Sequence, residues 1–163
     1  MSLDDLKPNG LYVVLFIRSY EYDPDNFHWS LYHHQSTKTG GMKYHVTGLE
    51  GRWLADHKPS GGVFKSFLLV GLFHVANIPS GMEDRARDLI TQDDNRLNDI
   101  EGNTCRVWLM TALARLNAAG IMQCSSMDAL ETEILTWGNS HYRSAIVAET
   151  PRPLGASNLC GQL

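Results

Sequence analysis

The chain has 163 residues, 43% hydrophobic and 20% charged, a balance that predicts one soluble globular domain and not a disordered segment. A net charge of −4 with no basic run sets nucleic-acid binding aside, because phosphate contacts need a basic patch. No apolar stretch nears the roughly 20 residues of a membrane span, and the first residues lack the basic-then-apolar pattern of a secretory signal.

Residues 1–10 form a lead-in ending in the turn Pro8-Asn9-Gly10. Leu11 to Ile17 is a continuous apolar, β-branched and aromatic run, which predicts a buried central strand. A polar loop from Tyr20 to Asn26 precedes an alternating stretch, Phe27 to His34. There His28, Ser30, Tyr32 and His34 fall on one face, and Phe27, Trp29, Leu31 and His33 on the other. Thr39 to Met42 makes a hairpin connection into a strand from Lys43 to Leu49, in which His45 shares a face with Lys43 and Thr47. Two adjacent antiparallel strands would then present His28 and His45 as cross-strand neighbours.

Gly51 to Gly62 is expected to be a connection, with Trp53 a candidate core residue, and Val63 to Ala76 supplies one long strand or two short ones. Met82, Ala86, Leu89 and Ile90 recur at helical spacing and predict an amphipathic helix from Met82 to Gln92. After a polar loop from Asp93 to Gly102, a second helix runs from Cys105 to about Ala119. Asn103 or Thr104 caps its start and Gly120 its end, and Trp108, Leu109, Ala112, Leu113 and Leu116 form its apolar stripe. Ser126 begins a last helix that buries Met127, Leu130, Ile134 and Trp137 and stops at Gly138. Pro151, Pro153, Gly155 and Ser157 predict an extended tail over 150–163, outside a core of about 10–140. Strands first and helices afterwards predict an α+β fold, an antiparallel sheet packed on helices along one side.

The three cysteines, Cys105, Cys124 and Cys160, are widely spaced with no Cys-x-x-Cys pair, which suits reduced thiols in a cytoplasmic compartment. Cys105 stands out, because the unpaired N–H groups and aligned dipoles of a helix start favour a thiolate. Thiol catalysis also needs a base and a group that orients it. His28 is the candidate base and His45 the candidate orienting residue. Asn103 and Tyr12 are candidate oxyanion donors, and Arg18 and Tyr20 candidate residues of a substrate mouth. His33 and His34 are adjacent on a strand and point to opposite faces, so they do not suggest a metal site.

Three stretches carry a family resemblance: Phe27-His28-Trp29-Ser30-Leu31-Tyr32, Lys43-Tyr44-His45-Val46, and Asn103-Thr104-Cys105-Arg106-Val107-Trp108. Together with the strand before His28, they are similar to the pattern of the lecithin retinol acyltransferase-like family, circularly permuted relatives of the papain-like NlpC-type hydrolases. As a whole the chain also resembles a group of small fungal proteins with no assigned activity. The resemblance covers about residues 10–117. It implies a permuted papain-like fold with the nucleophile at a helix N-terminus, Cys105 as nucleophile, His28 as base and His45 as third member. Thr104 stands where the family has Asn directly before Cys, Arg106-Val107-Trp108 replaces Glu-His-Phe, and no stretch resembles the family's C-terminal membrane anchor. These differences leave thiol chemistry as the expectation and weaken the case for lipid substrates.

The expected function is therefore a soluble enzyme that transfers acyl groups from an ester, thioester or amide through Cys105. Its partner is a small-molecule or peptide acyl substrate, and no cofactor or metal is called for. Two alternatives stand beside it. One is a non-catalytic small-molecule binding module, in which Cys105 is a buried small hydrophobe and His28 and His45 are structural. The other is a tailoring or cyclising enzyme of small-molecule biosynthesis. The sequence leaves the oligomeric state open.

Overall fold

A computed structural model of the chain describes residues 2–161. The fold is α+β, with a mostly antiparallel sheet and four α-helices among the described residues. The first strand, β1 (Gly10–Ile17), is almost wholly buried, as its unbroken apolar sequence requires of a central strand. It lies between β2 (Phe27–Ser36) and β7 (Leu69–Asn77), antiparallel to both. Beyond β2 come β3 (Gly40–Tyr44) and β6 (Lys58–Ser60), and beyond β7 comes β8 (Leu154–Ala156), giving the order β6-β3-β2-β1-β7-β8. A separate two-stranded ribbon pairs β4 (Val46–Leu49) with β5 (Arg52–Ala55). Its two-residue turn has positive φ at both Glu50 and Gly51, the geometry that matches hairpin twist.

One face of the sheet carries the helices. Leu11, Val13, Leu15, Phe27, Trp29 and Leu31 project from β1 and β2 into the larger core. There they meet α1 (Glu83–Ile90), α2 (Cys105–Ala118), α3 (Met127–Ser140) and α4 (Tyr142–Ile146). The alternate residues Tyr12, Val14 and Tyr32 enter a smaller cluster on the other face, closed by Leu6 and Val63. That two-residue period is the one the alternating sequence of β2 predicts. No helix among the described residues is long and apolar enough to cross a membrane.

Four expectations need correction. The strand expected from Lys43 to Leu49 breaks at His45, whose N–H donates to the His57 ring at 3.1 Å instead of extending the β2–β3 ladder. The connection expected over 51–62 contains β5 and β6. Gly138 does not end the last helix but lies within α3, and α4 follows. A Cβ placed there would stand 2.6 Å from Leu15 Cδ1 and 3.1 Å from the Phe27 ring, so this glycine lets α3 approach the sheet. The tail is not free: β8 pairs parallel with β7, Leu72 opposite Leu154, and is the sheet's parallel exception. Residues 162–163 of that expected tail lie outside the described residues.

Candidate functional site

Antiparallel pairing sets Phe16 opposite His28 at one end of the β1–β2 ladder, where β1 runs out into Arg18 and Tyr20. There the chain surrounds a cavity of about 650 Å³. Arg18, His28, Lys43 and His45 supply its polar wall, and Phe16, Tyr20 and Leu68 much of its apolar lining.

His28 and His45 meet directly, Nε2 to Nδ1 at 3.0 Å. The far nitrogen of His45, Nε2, lies 3.1 Å from Asp56 Oδ2. Asp56 also accepts from Lys58 Nζ at 3.2 Å, and this hydrogen bond, ahead of the influence of His45, holds its carboxyl below the usual range. An ionised carboxylate only accepts, so His45 carries its proton on Nε2 and offers Nδ1 as an acceptor. The hydrogen in the His28–His45 contact then belongs to His28 Nε2, which leaves His28 Nδ1 as a free lone pair. Burial above all, with the nearby His45, Arg18 and Lys43, pushes His28 down to about 4. Burial and Lys43 push His45 to about 4 against the pull of Asp56. Both imidazoles are neutral near pH 7.

A second pair supports the first from behind. His57 accepts the His45 N–H on Nδ1 and points Nε2 at Asp94, 3.1 Å away. Its ring stacks on Trp108 of α2, centroids 5.8 Å apart, while the His45 carbonyl accepts from the Asp56 N–H at 2.9 Å. The ribbon, the loop before α2 and α2 itself are thereby tied to the position of His45.

Cys105 is the first residue of α2. Thr104 is the N-cap, its hydroxyl accepting from the Val107 N–H at 3.1 Å. The Cys105 side chain is buried, at 4% exposure. Its sulfur accepts from Arg18 Nη2 at 3.4 Å and lies 4.0 Å from the Phe27 carbonyl, the residue before His28. No hydrogen bond joins the Cys105 sulfur to His28, whose polar partner is His45. Arg18 thus touches both the thiol and the cavity, whose lining does not include Cys105.

The remaining candidates divide. Tyr20 lines the cavity and is 66% exposed. Tyr12 does not belong to the site: it sits near the start of β1 opposite Tyr32, four residues from Phe16 and thus roughly 13 Å along the strand. Its hydroxyl accepts from the Lys7 N–H at 2.8 Å. Asn103 is not a cavity residue either. Its amide donates to the Leu97 carbonyl at 3.0 Å and braces the loop before α2. His33 and His34 take separate partners, Asn9 and Tyr32. Cys124 and Cys160 face each other as free thiols across an isolated antiparallel bridge. Burial, then the Cys124 thiol, pushes Cys160 up to about 12.

Sequence reasoning missed Asp56, His57 and Asp94. The signal available was the Asp56-His57 pair itself, a carboxylate beside an imidazole in a stretch otherwise taken as connection.

A family model matches residues 14–123 and is described as DUF6540, a family of unknown function. The chain belongs to DUF6540. The DUF6540 match begins at Val14 in β1 and ends before α3, so it takes in Arg18, His28, Lys43, His45, Asp56 and Cys105 together. No curated protein and no solved structure matched this DUF6540 chain.

Proposed function

We propose that this DUF6540 protein is a cysteine-dependent acyl-transfer enzyme with a permuted papain-like arrangement. Cys105 is the nucleophile, His28 the base, and His45 with Asp56 the orienting pair. The observation that carries this reading is the hydrogen-bonded chain His28–His45–Asp56 opening on a cavity whose Arg18 wall touches the Cys105 sulfur. Such a chain fixes the tautomer of the base, the part an orienting carboxylate plays in hydrolytic triads.

The thiol loses its proton to His28 Nδ1 as a carbon–sulfur bond forms to the acyl carbon. The bond to the leaving group breaks, and His28 returns the proton to that group. Water or an amine then takes the acyl group and releases the thiol. The sulfur stands at the α2 N-terminus and accepts from the Arg18 guanidinium. The decisive experiment measures thiol release from a short-chain acyl thioester: wild type turns over, and Cys105→Ala and His28→Ala do not. Equal rates in all three would refute the reading.

One observation favours a second reading, a binding module without turnover. The Cys105 sulfur is buried and bonded to Arg18 and the Phe27 carbonyl, not to His28. In that case ligand affinity survives Cys105→Ser and no acyl-enzyme accumulates.

A further inference from the structure

The chain carries 18 acidic and 14 basic residues, yet no acidic side chain lines the cavity beside His28. The two cations that do line it, Arg18 and Lys43, have no carboxylate within ion-pair distance among the described residues. Arg18 donates to a sulfur, and the Lys43 ammonium sits 4.9 Å from the centre of the Phe16 ring. Five other cations, Lys58, Arg87, Arg96, Arg106 and Arg115, have carboxylate partners. Asp56, the acid nearest this wall in the hydrogen-bond chain, is already engaged by Lys58 and His45. His28 and His45 are neutral near pH 7 and supply no counter-charge.

Two cations on one wall, exposed Arg18 and part-buried Lys43, with no carboxylate in ion-pair contact among the described residues, favour an anion there, because both attract the same charge. Burial lowers the Lys43 ammonium, which an incoming anion would reverse. Apart from Ser19 and Ser66 the rest of the lining is apolar: Phe16 and Leu68 line it and Tyr20 stands at its mouth.

We infer that the cavity takes an anionic amphiphile, a small acyl compound whose carboxylate or phosphate sits at Arg18 and Lys43 and whose apolar chain lies along Phe16, Leu68 and Tyr20. As a statement about substrate this rests on the acyl-transfer reading; as a statement about binding it holds for the second reading as well. The ligand's charge adds affinity that an uncharged compound of the same shape lacks.

The test compares octanoate, octyl phosphate and octanamide by isothermal titration against the whole protein. At least one of the two anions should bind about tenfold more tightly than octanamide at low salt. Whichever of them binds more tightly names the group recognised. Raising salt from about 20 mM to about 500 mM should weaken anion binding and leave octanamide unchanged. Lys43→Met keeps the apolar stem and should bring anion and amide affinities within about threefold of each other. Equal binding of all three compounds in wild type, or binding of none, would overturn the inference, and the salt series reads it even where the variant fails to fold. Octanoate preference in Cys105→Ser together with no turnover in wild type would refute the acyl-transfer reading alone. Turnover with charge-blind binding would refute the ligand class alone.

Discussion

His28 Nε2 lies 3.0 Å from His45 Nδ1, and the hydrogen between them belongs to His28, because His45 spends its own on Asp56. The base therefore has its lone pair on Nδ1 before any substrate arrives. Long-range proton–nitrogen NMR at neutral pH should find both imidazoles neutral and protonated on Nε2. A His28 protonated on Nδ1 would contradict this account of the pair. Asp56→Asn, which replaces a pure acceptor by an amide, should redistribute the His45 tautomers.

Acid should unfold the protein early. His28 and His45 are held at about 4, below the ordinary value near 6.5, and burial lowers His33, His34, His74 and His141 as well. Between those limits the unfolded chain binds more protons than the native one, so stability falls as pH falls and is fully present above about 6.5. Urea midpoints measured from about pH 7 to about pH 4 should drop monotonically, and more shallowly in His45→Asn. The charges that face this pair are Arg18, Lys43, Asp56 and Lys58. With His28 as base, kcat/KM should keep its neutral-pH value down to about pH 5 and fall near 4.

Gly138→Ala in a helix would ordinarily stabilise by about 1 kcal/mol. Here the added methyl meets Leu15 and Phe27, and Phe27 adjoins His28. A net loss of about 1–3 kcal/mol is expected in denaturant unfolding. A stabilised variant would show that α3 does not need this close approach.

The order of elements and the faces of β1, β2 and α2 were legible because long apolar periods report burial directly. Thr104 as cap and Gly120 as stop follow local backbone chemistry, and the helix boundaries follow them. The His28–His45 contact was also legible, but not by the route expected. His45 lies where the strand breaks, one residue beyond the Leu31–Tyr44 pair that ends the ladder. What breaks it, the diversion of its N–H to His57, is a contact across twelve residues that no local period encodes. β5, β6 and β8 were illegible for a related reason: strands of three or four residues gain their order from a neighbour, not from their own sequence. Tyr12 was misplaced because a strand's apolar run does not say which of its ends adjoins the site.

His57 should matter to His45 and not to folding alone. His57→Phe retains a ring to stack on Trp108 and removes the acceptor of the His45 N–H. Leaving that N–H unpaired should cost about 1–3 kcal/mol and speed its hydrogen exchange relative to the neighbouring amides of β3. Unchanged protection at His45 would show that the strand break has another cause.

The central claim is that Cys105 attacks an acyl carbon with His28 as its base. Trapping the acyl-enzyme tests it most directly: p-nitrophenyl butyrate is mixed with the protein at neutral pH and the modified peptide mapped by mass spectrometry. Cys124 and Cys160 serve as thiols within the same chain, the latter held protonated by burial. The account predicts a butyryl thioester on Cys105, formed about 100-fold more slowly in His28→Ala. Labelling of Cys105 no faster than Cys124, or equal labelling of wild type and His28→Ala, would contradict it.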